Sequence, residues 1–468
     1  MHTQSLSQMA AALAKKDISA RELTELHLNR ISTHNPQLNS FITVTDESAL
    51  QQADEADRRR AAGDSNPLLG IPLAHQDLFC TQGVRSSSGS KMLDNFVSPY
   101  NAHIVEQLNQ AGAVSLGKLN MDEFGMGSRG QHSFYGTTQN PWDNSRVVGG
   151  AASGSAAAVA AGLVAASTAA DTCGDIRIPA AFNGLTGLRP SYGRISRWGL
   201  TANASSFDQA GFLTRTAEDA ALLLQACAGF DEKDSTSAQL AVPNYQESLS
   251  RPLSGVRIGM PKVFFDSSLN TGIADSIQAC AKKLQELGAE LVDIDLAHQQ
   301  HAVSIATVIS SAEASTNLSR FDGVRFGYRC ENPSNLDDLY QRSRTEGFGA
   351  EVQRRLLLGA FYLSVEQYED YYVQAQRLRR LVKQDFTQAF QAVDLILAPV
   401  SANMPALVSD NSGCEFEAWR YTAPASLAGL PALALPVGLL DGLPVGAQLI
   451  APAFHEAQLL NAAHQFQQ

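Results

Sequence analysis

From Gly149 to Ala170 the chain reads GGAASGSAAAVAAGLVAASTAA, and only Leu163 in it exceeds valine in size. Side chains this small leave space unfilled, so such a segment is stable only where other parts of the chain pack closely around it. The leading glycines predict a tight turn, and the alanines after them predict a helix over 154–166 buried in a large core. The stretch 156–170 is also the nearest approach to a membrane span. Gly162, Ser167 and Thr168 interrupt it, and no run reaches the roughly eighteen apolar residues that a span needs, so no membrane association is expected.

The rest of the chain alternates helix and strand signals around this segment. Ser19 and Glu22 form a capping box ahead of Leu23, Leu26, Leu28 and Ile31, and residues 1–66 read as helical. Short apolar runs at 70–74, 113–116, 256–260, 290–294, 393–397 and 432–437 predict strands, and helical patterns cover 101–112 and 273–287. Residues 315–385 are charged and helical, and 409–414 read as a surface loop. The alternation predicts an α/β fold with a mixed central sheet covered by helices on both faces. We expect one domain over 1–468, with an N-terminal helical region (1–66), a core (67–230), a strand–helix unit with a helical excursion (231–390) and C-terminal core strands (391–468).

Hydrophobic residues make up 44% of the 468 and charged residues 18%, the composition of a soluble globular protein. Lys and Arg number 35 against 47 Asp and Glu, a net charge of −12. An acidic chain with no long basic run is ill suited to grip phosphate backbones, so direct nucleic-acid binding is not expected, although a basic partner could supply it. The six cysteines, Cys80, Cys173, Cys227, Cys280, Cys330 and Cys414, include no C-x-x-C pair, which predicts neither a metal site nor a redox pair. Scattered cysteines and the lack of a basic flank leading into an apolar N-terminal run predict a cytoplasmic protein. No cofactor is expected.

Three segments carry the chemistry: GIPLAHQD (70–77), GGAASGSAAAVAAG (149–162) and DTCGDIRIPA (171–180). Their order and spacing resemble the amidase signature family. GKLNMDEF (117–124), ASSFDQAG (204–211), SAEASTNLSRFDGVRFG (311–327), EGFGAEVQRR (346–355) and LAGLPALALP (427–436) extend the resemblance over nearly the whole chain, toward the A subunits of bacterial tRNA-dependent amidotransferases. That branch implies partner subunits of B and C type. The family implies amide hydrolysis by a Ser–Ser–Lys triad, in which a buried neutral lysine takes a proton through a bridging serine from the nucleophilic serine, with glycine-turn N–H groups stabilising the oxyanion. In this sequence the lysine position holds Gln76, the bridging serine position Ala151 and the nucleophile position Asp175. An amide is no base at neutral pH, and alanine has no proton to relay.

The resemblance also implies a ligand pocket formed by Thr172, Cys173, Gly174, Asp175, Arg355 and Trp419. Arg355 matches an arginine associated with a carboxylate, whereas a family aspartate falls at Trp419 and a tyrosine pair falls near Ala306 and Thr307. The bland alternative for Arg355 is an exposed helix arginine. Asp175 reads as a carboxylate held by the turn N–H groups, or else as a general base or a covalent carboxylate. Cys173 with His75 or His132 is the alternative nucleophile and base. His75, one residue from Gln76 on a strand, points the other way. Ser153 and Ser155 belong to the turn, and Met121, Met126, Phe134 and Trp142 are expected in the core. On these grounds we expect a pseudo-amidase: a non-hydrolytic scaffold, regulatory or ligand-binding relative of these A subunits. The alternative is an enzyme whose rebuilt pocket acts on an acyl or amide metabolite.

Overall fold

The computed structural model describes residues 1–410 and 415–468. Cys414 and most of the surface loop expected at 409–414 lie outside the described residues. The described strands are β1 (Phe41–Val44), β2 (Pro72–Gln76), β3 (Val114–Leu119), β4 (Ala166–Asp171), β5 (Thr186–Arg189), β6 (Gln209–Thr214), β7 (Arg257–Pro261), β8 (Glu290–Ile294), β9 (Leu395–Pro399), β10 (Ala432–Leu440) and β11 (Leu443–Ile450). They form an 11-stranded sheet in the order β1-β3-β2-β4-β6-β5-β10-β11-β9-β7-β8. Pairing is parallel within β3-β2-β4 and β9-β7-β8 and antiparallel elsewhere. This is the α/β architecture expected, with a mixed sheet flanked by helices.

The hairpin β10–β11 comes late in the chain but sits mid-sheet. It joins β5 on one side and β9 on the other. β2, β3, β4, β5, β6, β9 and β11 are buried along their whole length. Strands covered on both faces show continuous apolar or small-residue runs rather than alternation.

The small-residue segment divides differently from the expectation. Its helix, Ser153–Ala160, stops after eight residues, and Ala166–Asp171 is strand β4 rather than a continuation. Helix propensity favours alanine, but here tertiary pairing decides: β4 lies between β2 and β6 in the middle of the N-terminal half of the sheet. The N-terminal region is helical at Leu6–Lys15, Ala20–Leu38 and Asp46–Ala61, with β1 inserted between the last two. Ser19 and Glu22 close both halves of the capping box. Met121 and Met126 are buried, whereas Phe134 and Trp142 are about half exposed and do not belong to the core. Trp142 is instead fixed at the surface by its indole N–H, which donates to the Asn183 carbonyl at 3.1 Å. No helix among the described residues is long and apolar enough to cross a membrane.

Candidate active site

The site grows from the end of β4. Asp171, the last residue of that strand, is fully buried and faces two buried arginines, Arg177 at 3.0 Å and Arg189 at 3.2 Å. Its carboxylate also accepts the N–H groups of Gly174 (2.9 Å) and Ile176 (3.2 Å), which folds residues 172–176 into a turn. Burial alone would raise the pKa of Asp171, but the two guanidinium groups outweigh it and hold the carboxyl below its ordinary range. Arg177 reaches on to the Thr422 carbonyl (2.9 Å), Gln448 Oε1 (2.9 Å) and Ser426 Oγ (2.8 Å). The turn is thereby tied to β11 and to the helix Ala423–Ala428. Sequence reasoning missed this frame, although Asp171 and Arg177 bracket the DTCGDIR motif.

Gly174 sits at φ +132°, where a Cβ would meet Thr422 Oγ1 at 2.3 Å. Only glycine admits so close an approach at that backbone angle. Thr422 Oγ1 donates to the Cys173 carbonyl at 2.5 Å and closes the turn from above.

Asp175 points back into this turn. One oxygen accepts the N–H groups of Thr172 (3.0 Å) and Cys173 (3.4 Å), and the other accepts that of Ala151 (3.3 Å). Its side chain therefore occupies the N–H niche that a ligand oxygen would use. Burial, reinforced by the neighbouring Asp171 charge, pushes its pKa up to about 7. Thr172 Oγ1 donates to Asp208 (2.8 Å), a second buried carboxyl, raised to about 6 by burial. Gln76 accepts the Ala170 N–H through its side-chain oxygen at 2.7 Å, one residue before Asp171. Ala151 and Asp175 thus meet directly, whereas Gln76 is held to β4 through the Ala170 N–H.

The alternative nucleophile and base are not brought together. Cys173 is fully buried, and burial together with the charges of Asp175 and Asp171 drives its thiol pKa well up, against thiolate formation. The His75 ring lies against Thr168 Oγ1 at 3.1 Å, and burial lowers its pKa to about 3. His132 lines a separate cavity of about 370 Å³ with Lys91, Glu123, Glu346 and Glu351. There Glu123 accepts the Gly349 N–H at 2.8 Å and, chiefly through burial, has its pKa raised to about 7. Ser153 and Ser155 lie in the first turn of the helix Ser153–Ala160 rather than in the glycine turn before it: Ser153 bonds Thr138 at 3.2 Å and Ser155 the Thr168 carbonyl at 3.3 Å.

Arg355 is not an exposed helix arginine but is 2% accessible. Its Nε donates to Glu351 at 2.7 Å, and its guanidinium lies against the rings of both Phe416 (4.8 Å) and Trp419 (5.2 Å), which pack edge-on to each other. Among the described residues, the buried donors Arg355 Nη2 and Trp419 Nε1 find no acceptor. The Trp419 carbonyl accepts the Thr422 N–H at 3.1 Å, which joins this pair to the 172–175 turn. Ala306 is buried on the helix Ala302–Asn317, and Thr307 bonds back to Val303 at 2.8 Å.

The amidase family model matches residues 22–460. The chain belongs to the amidase signature family. Curated members of this amidase signature family that it resembles include the A subunit of the Pseudomonas aeruginosa glutamyl-tRNA(Gln) amidotransferase, 56% identical, with 100% of this chain and 97% of the relative covered. Its counterpart in Azotobacter vinelandii is also 56% identical, with 100% and 98% covered. Among solved structures, the A subunit of the Thermotoga maritima amidotransferase superposes with a TM-score of 0.82 at 32% identity, covering 99% of this chain and 94% of that one. An amidase signature aryl acylamidase of bacterial origin gives 0.87 at 25% identity, covering 99% and 96%. These findings overturn the expectation of a pseudo-amidase and its alternative of an enzyme rebuilt for another metabolite. An identity of 56% across the full length of curated A subunits points instead to a working protein of that type. The physical counterpart is the frame: beneath the turn Asp171 keeps both of its buried arginine partners, and removing one partner of such a pair is strongly destabilising.

Proposed function

We propose that the chain serves as the A subunit of a tRNA-dependent amidotransferase in the cytoplasm, assembled with partners resembling the B and C subunits. The observation that carries this reading is the 56% identity to curated A subunits over the whole chain. In this assembly the chain binds an amide- or carboxylate-bearing ligand at Thr172, Cys173, Gly174, Asp175, Arg355 and Trp419. Two features support that placement. Arg355 Nη2 and Trp419 Nε1 are buried donors that find no acceptor among the described residues, and buried donors of native proteins are nearly always paired. The Asp175 carboxyl, its pKa raised to about 7, sits on three backbone N–H groups, so displacement of this one side chain opens that niche to a ligand oxygen.

The test is reconstitution. The purified chain, mixed with B and C subunits of the Pseudomonas aeruginosa enzyme, is expected to form a stoichiometric complex that converts Glu-tRNA(Gln) to Gln-tRNA(Gln). Running the reaction with glutamine and with ammonium as alternative nitrogen donors reads what the Gln76–Ala151–Asp175 site contributes. Failure to assemble, with no amidation above the level of the B and C subunits alone from either donor, would overturn the reading.

A further inference from the structure

The helix Ala350–Tyr362 presents two different faces. Val352, Arg355 and Gly359 are its buried residues. Gly359 lies so close to the helix Ala302–Asn317 that a Cβ there would meet the Ser311 carbonyl at 2.0 Å. Leu357 and Phe361, four residues apart and so on one face, lie away from that contact. Leu357 is 72% exposed, Phe361 is exposed, and Val365 just beyond the helix is 98% exposed. The π-helical turn Tyr368–Val373 then folds back beside them. Tyr371 packs on Phe361 (5.6 Å between centroids) and Tyr362 (5.3 Å), while Tyr368 stacks on Tyr372 (5.5 Å). The result is a stripe of exposed aliphatic and aromatic side chains over residues 357–371. Isolated exposed apolar residues need no explanation, but a contiguous patch marks an interaction surface.

Three acidic residues lie along the stripe. Glu366, Glu369 and Asp370 are exposed, and among the described residues none of them has a cationic partner within ion-pair distance. Arg354, at the start of the stripe, is held by Glu351 at 2.7 Å. A second copy of the chain would bring these three acids against their equivalents, on a chain of net charge −12, and an anionic lipid surface would meet the same repulsion. We infer that the stripe Leu357–Phe361–Val365 with Tyr368 and Tyr371 is the docking face for a partner subunit that presents an apolar surface rimmed by lysine or arginine. This rests on the reading of the chain as one component of a larger assembly. One helix then carries Arg355 of the ligand pocket on its inner face and the partner contact on its outer face.

The experiment uses the full chain and the purified B and C subunits of the Pseudomonas aeruginosa enzyme. Binding is measured by calorimetry, and the chain alone by sedimentation velocity. A Leu357→Asp/Val365→Asp variant changes only exposed side chains, and Leu439→Asp, 62% exposed on β10, is the control. The wild type and Leu439→Asp are expected to bind alike, and the double variant at least about tenfold more weakly, the scale for loss of interface anchors. A Glu366→Lys/Glu369→Lys/Asp370→Lys variant is expected to associate more slowly and with a flatter salt dependence. If the wild type binds and the double variant binds equally well, the docking face lies elsewhere and the reading of the chain as an A subunit stands. If the wild type binds neither partner, that reading fails and this assignment fails with it. If the chain alone dimerises and the double variant does not, the stripe belongs to a second copy and the inference is overturned.

Discussion

Asp175 holds a negative charge where the fold concentrates N–H donors, yet burial raises its pKa to about 7. A carboxyl with a raised native pKa binds its proton more tightly in the folded than in the unfolded chain. Its contribution to stability is therefore full below about pH 4 and is lost as pH rises through about 7. In an Asp175→Asn variant that loss disappears. The difference in unfolding free energy, wild type minus variant, is expected to fall by about 1.4 kcal/mol per pH unit across that window. Denaturant titrations of both proteins between pH 4 and pH 8 measure it, and a pH-independent difference would refute the burial argument. Cys173 answers to the same physics with a simpler readout. Its buried thiol, pushed well up, is expected to escape iodoacetamide in the native protein at neutral pH and to react after denaturation, as followed by peptide mass spectrometry.

At the scale of elements, Arg177 joins β4 and β11 to the helix Ala423–Ala428 through Asp171, Gln448, Thr422 and Ser426. Arg177→Met leaves the Asp171 charge buried with half its compensation. It is expected to cost about 3–5 kcal/mol of stability, measured by chemical denaturation. This junction was half legible in the sequence. The DTCGDIR motif marks the turn and both of its charged ends, but nothing local announces Arg189, eighteen residues on, or Gln448 on the far hairpin. The strands β2, β3, β7, β8, β9 and β10 were legible because each is a short apolar run between turn signals. β4 was not, because alanine and serine buried on both faces carry no period to separate strand from helix. β1, β5, β6 and β11 also went unread: β1 lies between two helices, and β5, β6 and β11 are buried throughout. In the candidate site, the glycine turn announced the backbone N–H groups that meet Asp175. No local signal announced that Arg355 packs against Phe416 and Trp419, since that contact joins segments some sixty residues apart.

For the whole molecule, the order of strands in space departs most from their order in sequence at the centre of the sheet, where β10 and β11 lie between β5 and β9. A chain cut after residue 391 lacks β9, β10 and β11, leaving β5 and β7 as raw edges of two separate half-sheets. Such a fragment is expected to be insoluble or to show no cooperative unfolding by circular dichroism, and a soluble fragment with a sharp transition would show that the halves stand alone. The same seam governs how the protein is made. A ribosome releases β1 to β8 long before the hairpin that joins them. The nascent chain therefore carries two incomplete layers with open hydrogen-bonding edges until its final segment emerges. Pairings this distant in sequence form slowly and expose sticky intermediates. Production of the protein should accordingly depend on chaperone supply more steeply than the stability of the finished fold would suggest.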